Sequence, residues 1–289
     1  VDKRRLLLRL RLARGIGIKG ESLIYQWLLA HPTGVKNLLP QDMAQIAHLN
    51  VTTARKFYES FTSQQLSDVV ARHLTEANWF TILDEAYPAQ LKESYLPPNV
   101  IFYQGNLALL NAGKLLGVVG AREPTKYAQI AMQRLLPGPI QQNHIIVSGL
   151  AMGVDALSHR LAIHAGGHTI GIIGTGLNLT YPAQNRKLQM YMSAHELVLS
   201  EYPFGDVGKP HHFVERNRII AGLSETVLVV QAKQHSGSLI TANLAIQNNR
   251  NVLAVPGRID DPLSAGCNEL ILAGAKPVLA PQHIVEEFL

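Results

Sequence analysis

The 289-residue chain predicts an α/β fold: a parallel sheet covered on both faces by helices, preceded by a small all-helical domain. Two observations carry this expectation. From Leu115 onward, short segments that are apolar throughout alternate with longer helical stretches. Strands buried on both faces read as continuous apolar runs, and their alternation with helices calls for parallel crossover connections. Before residue 76, apolar residues recur at helical spacing and no strand-like alternation interrupts them. The expected division is therefore a helical domain over 1–75, a lead-in segment over 76–114 and a sheet domain over 115–289.

In the helical part, Leu23, Ile24, Trp27 and Leu28 fall on one helix face, and Ala44, Ala47 and the run Thr53–Tyr58 predict further helices. Gly15-Ile16-Gly17 reads as a turn between two helices. It serves either as a plain connection or as a hairpin whose amides approach a phosphate. In the lead-in, Trp79–Leu83 and Val100–Tyr103 read as short strands, with Pro88 and Pro97-Pro98 marking loops. The strands expected beyond are Leu115–Val119, Ile145–Val147, Thr169–Ile173, Val198–Leu199, Thr226–Val230, Val252–Val255 and Pro277–Leu279. Between them the spacing predicts helices over Lys126–Leu136, Val154–His164, Gln184–Met192, Arg216–Ala221, Leu239–Gln247 and Asn268–Leu272.

Composition narrows the functional classes. With 47% hydrophobic and 16% charged residues, the chain can bury a core and is not a disordered polyelectrolyte. Cys267 is the single cysteine, which excludes an internal disulfide and a multi-cysteine zinc site and fits a reducing, cytoplasmic setting. No apolar run approaches the roughly 18–20 residues of a membrane helix. Arginines interrupt the leucine-rich start, so it lacks the continuous core of a signal peptide. The charge is uneven: residues 1–75 hold 11 Lys/Arg against 5 Asp/Glu, and residues 76–289 hold 15 against 16. A basic helical domain favours polyanions, or simply a soluble charged surface.

Four expected strands end in small or polar residues just before a helix: Gly120-Ala121-Arg122, Ser148-Gly149-Leu150-Ala151, Gly174-Thr175-Gly176 and Ser236-Gly237-Ser238. In an open parallel sheet these ends share the carboxyl edge, where ligands bind and where helix N-termini offer amides to phosphate. Basic residues recur there: Arg122, Arg186, Lys187, Lys209, Arg216 and Arg218, the last two flanking Asn217. The alternative for Arg216 or Arg218 is an ion pair with Glu215 or Glu201. No G-x-x-x-x-G-K-[ST] loop, G-x-S-x-G elbow or H-E-x-x-H pair occurs, so the sequence calls for no cofactor and no metal. Ser148 or Ser236 with His159 or His235 would make a hydroxyl–imidazole pair, but no third orienting group is evident. Asp155 and His159, four apart on one helix, are expected to hydrogen-bond each other.

Read together, the motifs resemble those of the DprA (Smf) DNA-processing family. The string Gly117-Val118-Val119-Gly120-Ala121-Arg122 with Pro124-Thr125 opens the resemblance, and Val147–Ala156 with His159 continues it. Gly174–Leu177, Tyr181-Pro182, Ser200–Pro203, His212-Phe213 and Arg216–Leu223 follow in order. Ser236–Ala242, Ala254–Gly257, Gly266–Asn268 and Gly274-Ala275 complete it, so that roughly residues 79–289 are covered. Gln231 stands where an acid is common, Val214 where proline is common, and Ala128 where glycine is frequent. The sequence given ends at Leu289 without the winged-helix segment some members carry, so any function of that segment is expected to be absent here or removed.

The resemblance implies an extended Rossmann-like domain preceded by a small helical domain, SAM-like or helix-hairpin-helix-like. It also implies a cytoplasmic homodimer that binds single-stranded DNA and loads the RecA recombinase during natural transformation, without membrane contact and without being an enzyme. Its DNA groove would include Arg122, Ser148, Gly149, Gly174, Thr175, Gly176, Arg216, Asn217 and Arg218. Ser236, Gly237 and Ser238 join on their place at a strand end, and Lys187 and Lys209 on charge and position. Tyr181 or Phe213 would stack on bases or pack in the core, and apolar residues around Leu263, Leu270 and Ile271 are candidates for the dimer surface. Two other readings stand beside this one: a nucleoside-monophosphate-processing enzyme on the same fold, and duplex binding by the basic N-terminal helices.

Overall fold

The computed structural model describes residues 2–31 and 38–288. Contacts divide the chain into two units: residues 1–87 with 96–102, and residues 88–95 with 103–289. The segment 76–114, expected as one lead-in piece, is thus shared between them.

The first unit is mainly helical: α1 (Lys3–Leu12), α2 (Ile18–Ala30), α3 (Pro40–Ile46), α4 (Val51–Phe61) and α5 (Gln64–Glu76), followed by β1 (Asn78–Thr81). Side-chain caps set three of the starts. Asp2 accepts from Arg4 N, Asn50 from Thr53 N and Ser63 from Leu66 N, each bonding an otherwise orphaned helix amide. Leu7, Leu8 and Leu10 bury one face of α1. Several of the basic residues counted in this unit are structural. Arg9 donates through Nε to Phe61 O at 3.1 Å and through Nη1 to Ser67 Oγ at 3.2 Å, and Arg11 pairs with the buried Glu21 at 3.3 Å. Gly15, at φ +86°, is pressed against α4: a side chain there would meet Phe57 N at 2.6 Å and Thr53 O at 2.8 Å. The hairpin glycine therefore packs against protein, whereas Gly17 has open space around its Cβ position.

In the second unit α6 (Ala89–Lys92) precedes the end of β2 (Val100–Gly105), and the doubly wound core begins with β3 (Lys114–Val119). It continues through α7 (Lys126–Leu135), α8 (Pro137–Gln141), β4 (His144–Ser148), α9 (Val154–His164), β5 (Thr169–Ile173), α10 (Arg186–His195) and β6 (Leu197–Ser200). After α11 (Pro210–Leu223) come β7 (Thr226–Val229), α12 (Gly237–Gln247), β8 (Asn251–Ala254), α13 (Ala265–Leu272), β9 (Lys276–Pro277) and α14 (Gln282–Val285). Strand order is β6-β5-β4-β3-β7-β8-β9, every neighbouring pair parallel. Every residue of β4 and β5 is buried, as the apolar runs required. Leu116, Val118 and Ile146 pack with Met132, Leu136, Ile140, Val154 and Ile284 into one core layer. That layer places α7, α8, α9 and α14 on one face. On the other face Gly117 lies against Ser224, at the end of α11.

The succession of elements follows the sequence expectation closely, with two differences that matter. The sequence expectation ends a helix at Leu136 and assigns no element to Pro137-Gly138-Pro139, yet these residues open α8, because proline at the first helical position has no amide to lose. Helix α11 starts at Pro210 rather than Arg216, for the same reason, with Lys209 as its N-cap. Arg216, Asn217 and Arg218 are therefore helix-interior residues whose amides are spent in the helix, and only their side chains can reach a ligand. Of the residues considered for a dimer surface, Leu270 is buried and Leu263 lines a cleft, while Leu272 beside them is 90% exposed.

Candidate functional site

Connections run from β3 outward through β4, β5 and β6, then α11 returns the chain to β7 on the opposite side of β3. At such a reversal the turns on the carboxyl side diverge and leave a crevice. Here it is a cleft of about 710 Å3. The turn after β3 (Gly120, Ala121, Arg122), the segment after β7 (Ala232, Lys233, Ser236–Ser238), the cleft-facing side of α11 (Phe213, Arg216, Asn217) and Tyr181 all line it.

The turn after β3 is bolted in place. Ala121 N donates to Gln231 O at 2.7 Å, and Ala121 O accepts from Val154 N at 3.1 Å. The first amide of α9 is thereby taken by protein, so this helix start does not serve the cleft. Gln231 locks the same corner: its Oε1 accepts from Thr125 N at 2.9 Å and its Nε2 donates to Thr125 Oγ1 and to Asp261 Oδ2. The departure from an acid at this position thus has a structural consequence, since a carboxylate cannot donate to Asp261. Helix α12 is different. Gly237 and Ser238 in its first turn line the cleft, its cap residue Ser236 makes no side-chain bond to them, and Ser236 Oγ is buried without a hydrogen-bond partner.

Arg216 is the centre of the site. It is 5% exposed and donates through Nη1 to Ile172 O at 2.6 Å, while its Nε has no partner. Burial lowers its pKa, the nearby Asp155 carboxylate opposes that, and the Arg122 charge adds to it. Two guanidiniums lining one cleft concentrate positive charge there, offset in part by the Glu123 and Asp155 carboxylates that line it too. Asp155 is turned toward backbone amides. Its Oδ2 accepts from Gly149 N at 3.2 Å and Ala151 N at 3.4 Å, and burial raises its pKa despite Arg216.

Six of the expected site residues therefore meet in one cleft: Arg122, Arg216, Asn217, Ser236, Gly237 and Ser238. The others do not line it. Ser148 is fully buried and donates to Val118 O at 2.6 Å, so it shapes the turn and presents no hydroxyl. Gly149 contributes by lacking a side chain, since any Cβ would overlap the Arg216 guanidinium. Gly174, Thr175 and Gly176 lie beneath the segment that follows β6: a Cβ on Gly174 would meet Phe213 Cδ1 at 2.9 Å, and Gly176 N donates to Asp206 O at 2.9 Å. Lys187 and Lys209 are exposed and outside the cleft lining.

The expectation of a phosphate-facing Arg218 does not hold. Its Nη2 donates to both carboxylate oxygens of Glu201, at 2.7 and 2.8 Å, and the side chain is buried. Two positions along a helix turn the side chain by about 200°, so Arg216 and Arg218 cannot share a target. The expected Asp155–His159 bond is also not formed. Thr169 Oγ1 donates to Ile146 O, so it accepts from His159 Nδ1 at 2.6 Å, and burial pushes the His159 pKa down to about 3. The residue that sequence reasoning passed over is Lys233, exposed on the cleft wall after β7. Its position three residues before Ser236 was the available signal. Among the described residues no group of three or more His, Cys, Asp or Glu is placed to hold a metal ion, and no helix is long and apolar enough to cross a membrane.

Comparison with known proteins decides the family. The model of the family described as "DNA recombination-mediator protein A" matches residues 78–289. The chain belongs to this family. The DNA processing protein DprA of Bacillus subtilis is 39% identical over 272 residues, 92% of this chain and 90% of that protein. Its counterpart from Streptococcus pneumoniae is 46% identical over 209 residues, 72% of this chain and 73% of the relative. Among solved structures, the S. pneumoniae DprA crystal structure superposes with a TM-score of 0.89 at 37% identity, covering 98% of this chain and 97% of that one. DNA processing protein A from Helicobacter pylori, described for its single-stranded DNA binding mode, gives 0.67 at 28% identity, with 74% of this chain and 96% of that one covered. As a member of the recombination-mediator family, the chain carries the motif string of its Rossmann-like domain on the walls and supports of the cleft.

Proposed function

We propose that this recombination mediator binds single-stranded DNA, seating backbone phosphates in the cleft between the ends of β3 and β7. We further propose that it acts as a homodimer delivering the strand to a RecA recombinase, and that it is a binding protein rather than an enzyme. The observation that carries the reading is the buried Arg216, its Nε without a partner, facing the same cleft as Arg122 and the first turn of α12. Guanidinium groups and helix-start amides grip phosphate without reading bases. The H. pylori relative's single-stranded DNA binding supports the choice of ligand. Of the groups a hydrolase would use, Ser148 Oγ is bonded to Val118 O, His159 to Thr169, and Gln231 to Thr125 and Asp261.

The test is competition between single- and double-stranded oligonucleotides across a salt titration. Tight, sequence-tolerant single-strand binding with a steep salt slope is expected, and Arg122→Ala should lower that slope by about one. Equal affinity for both forms, or an unchanged slope in the variant, refutes the site. Filament formation by RecA on coated strands, with and without the protein, tests the delivery step. Release of ribose or phosphate from nucleotides above background would overturn the non-enzymatic reading.

A further inference from the structure

The cleft has two chemically distinct walls. One carries Arg122, Arg216 and the start of α12, where Ser236 Oγ is buried without a partner. The other is aromatic: Tyr181 is 53% exposed, and its ring lies 4.9 Å from that of Phe213, tilted by 38°. Val207 and Val214 also line the cleft. Phe213 precedes Arg216 by three residues on α11, so the two walls stand about one helical turn, roughly 5 Å, apart along that helix. The volume, about 710 Å3, falls within the range of pockets that enclose a small molecule. Crevices at strand-order reversals in open α/β sheets hold mononucleotide units, with phosphate at a helix start.

We propose that the cleft encloses one whole nucleotide, phosphate against Arg216 and base on the Tyr181–Phe213 wall, so that a free nucleoside 5′-monophosphate occupies it and competes with a DNA strand. The proposal rests on the reading of the cleft as a phosphate seat. It adds that the seat and the stacking wall are matched to a single nucleotide, so that binding needs no neighbouring phosphates. Two independent features point to the anion: the buried guanidinium with a partnerless Nε, and the helix start beside it. The exposed ring of Tyr181 supplies the base contact, since stacking tolerates any base.

The experiment displaces a labelled single-stranded oligonucleotide from the full chain at constant ionic strength, using dAMP, deoxyadenosine or inorganic phosphate, with calorimetric titration of dAMP alongside. The expected result is displacement by dAMP at concentrations roughly tenfold below those needed for phosphate or nucleoside, because both walls are engaged at once. Tyr181→Ala, a change at an exposed side chain, should erase the advantage of dAMP over phosphate. Arg122→Ala should weaken dAMP and leave the nucleoside unaffected. Displacement by dAMP no better than by phosphate, while the oligonucleotide binds, overturns this proposal and leaves the DNA-binding reading standing. Displacement by deoxyadenosine as strong as by dAMP also overturns it. If the oligonucleotide does not bind, the DNA reading fails, and the calorimetric titration decides the nucleotide site by itself.

Discussion

Replacing Gly149 by alanine isolates the part that Arg216 plays. The backbone at Gly149 does not require a positive φ, so alanine carries no conformational penalty there. Its methyl group would overlap Nη1 of Arg216, with Nη2 at 2.6 Å. The guanidinium is the far end of a flexible side chain, but it is 5% exposed and tied to Ile172 O at 2.6 Å, so it cannot yield without breaking that bond. Overpacking of this kind costs about 1–3 kcal/mol, and a lost hydrogen bond from a charged donor about 1.5–3 kcal/mol. A total of about 3–5 kcal/mol corresponds to a fall in melting temperature of roughly 10 °C for a chain of this size. Displacing the guanidinium should also weaken single-stranded oligonucleotide binding by roughly tenfold or more. The deciding assay is a double-mutant cycle in urea. With Arg216→Ala as background the methyl group has room, so Gly149→Ala should cost little, giving a coupling of about 3–5 kcal/mol, nearly the whole parental cost. A coupling below about 0.5 kcal/mol would refute the claim that Gly149 exists to seat Arg216.

Four further outcomes are expected. Arg218→Met should lose about 3–5 kcal/mol, since it deprives the buried Glu201 of the guanidinium nitrogen that donates to both its oxygens; adding Glu201→Gln should restore part of the loss, and a destabilised double variant equal to the single one would count against the pair. The same Arg218→Met chain, compared at a temperature where it is folded, should keep the parental salt slope for oligonucleotide binding, in contrast to Arg122→Ala. His159 has its folded-state pKa lowered to about 3 while the unfolded chain titrates near 6.5, so the unfolded state gains the proton first and stability falls as pH drops below about 6.5. The contribution from this residue at pH 5 is a loss of about 2 kcal/mol relative to pH 7, and His159→Gln should flatten that part of the urea-derived profile; an unaltered slope would argue against a neutral buried imidazole. Gln231→Glu places a carboxylate where Nε2 now donates to Asp261 Oδ2 at 3.3 Å, so the variant should be less stable at pH 7 than at pH 4 by about 1–3 kcal/mol relative to the parent, checked by denaturant titration at both pH values.

The order of elements was legible from residue 115 onward because both signals are local. Apolar runs of five or so residues mark strands buried on two faces, and glycine with small polar residues marks the turns that follow them. The β5 and α9 boundaries coincide with the sequence expectation, Thr169–Ile173 and Val154–His164. What stayed hidden depended on partners far along the chain. Nothing in Arg216-Asn217-Arg218 tells which arginine faces a cleft, because the answer lies with Glu201 after β6 and Ile172 in β5. Likewise Gly149 and Gly174–Gly176 look like ligand turns by composition, yet one makes space for a guanidinium and the others lie beneath Phe213 and Asp206.

The amino-acid sequence by itself therefore determined the doubly wound sheet, the strand-end turns and the basic residues near them, since periodicity and backbone permissiveness act over a few neighbouring positions. Only the tertiary structure decided which of those residues share the crevice between β3 and β7. Side-chain direction along α11 and competition from buried carbonyls and carboxylates act between segments that meet only once the sheet has formed.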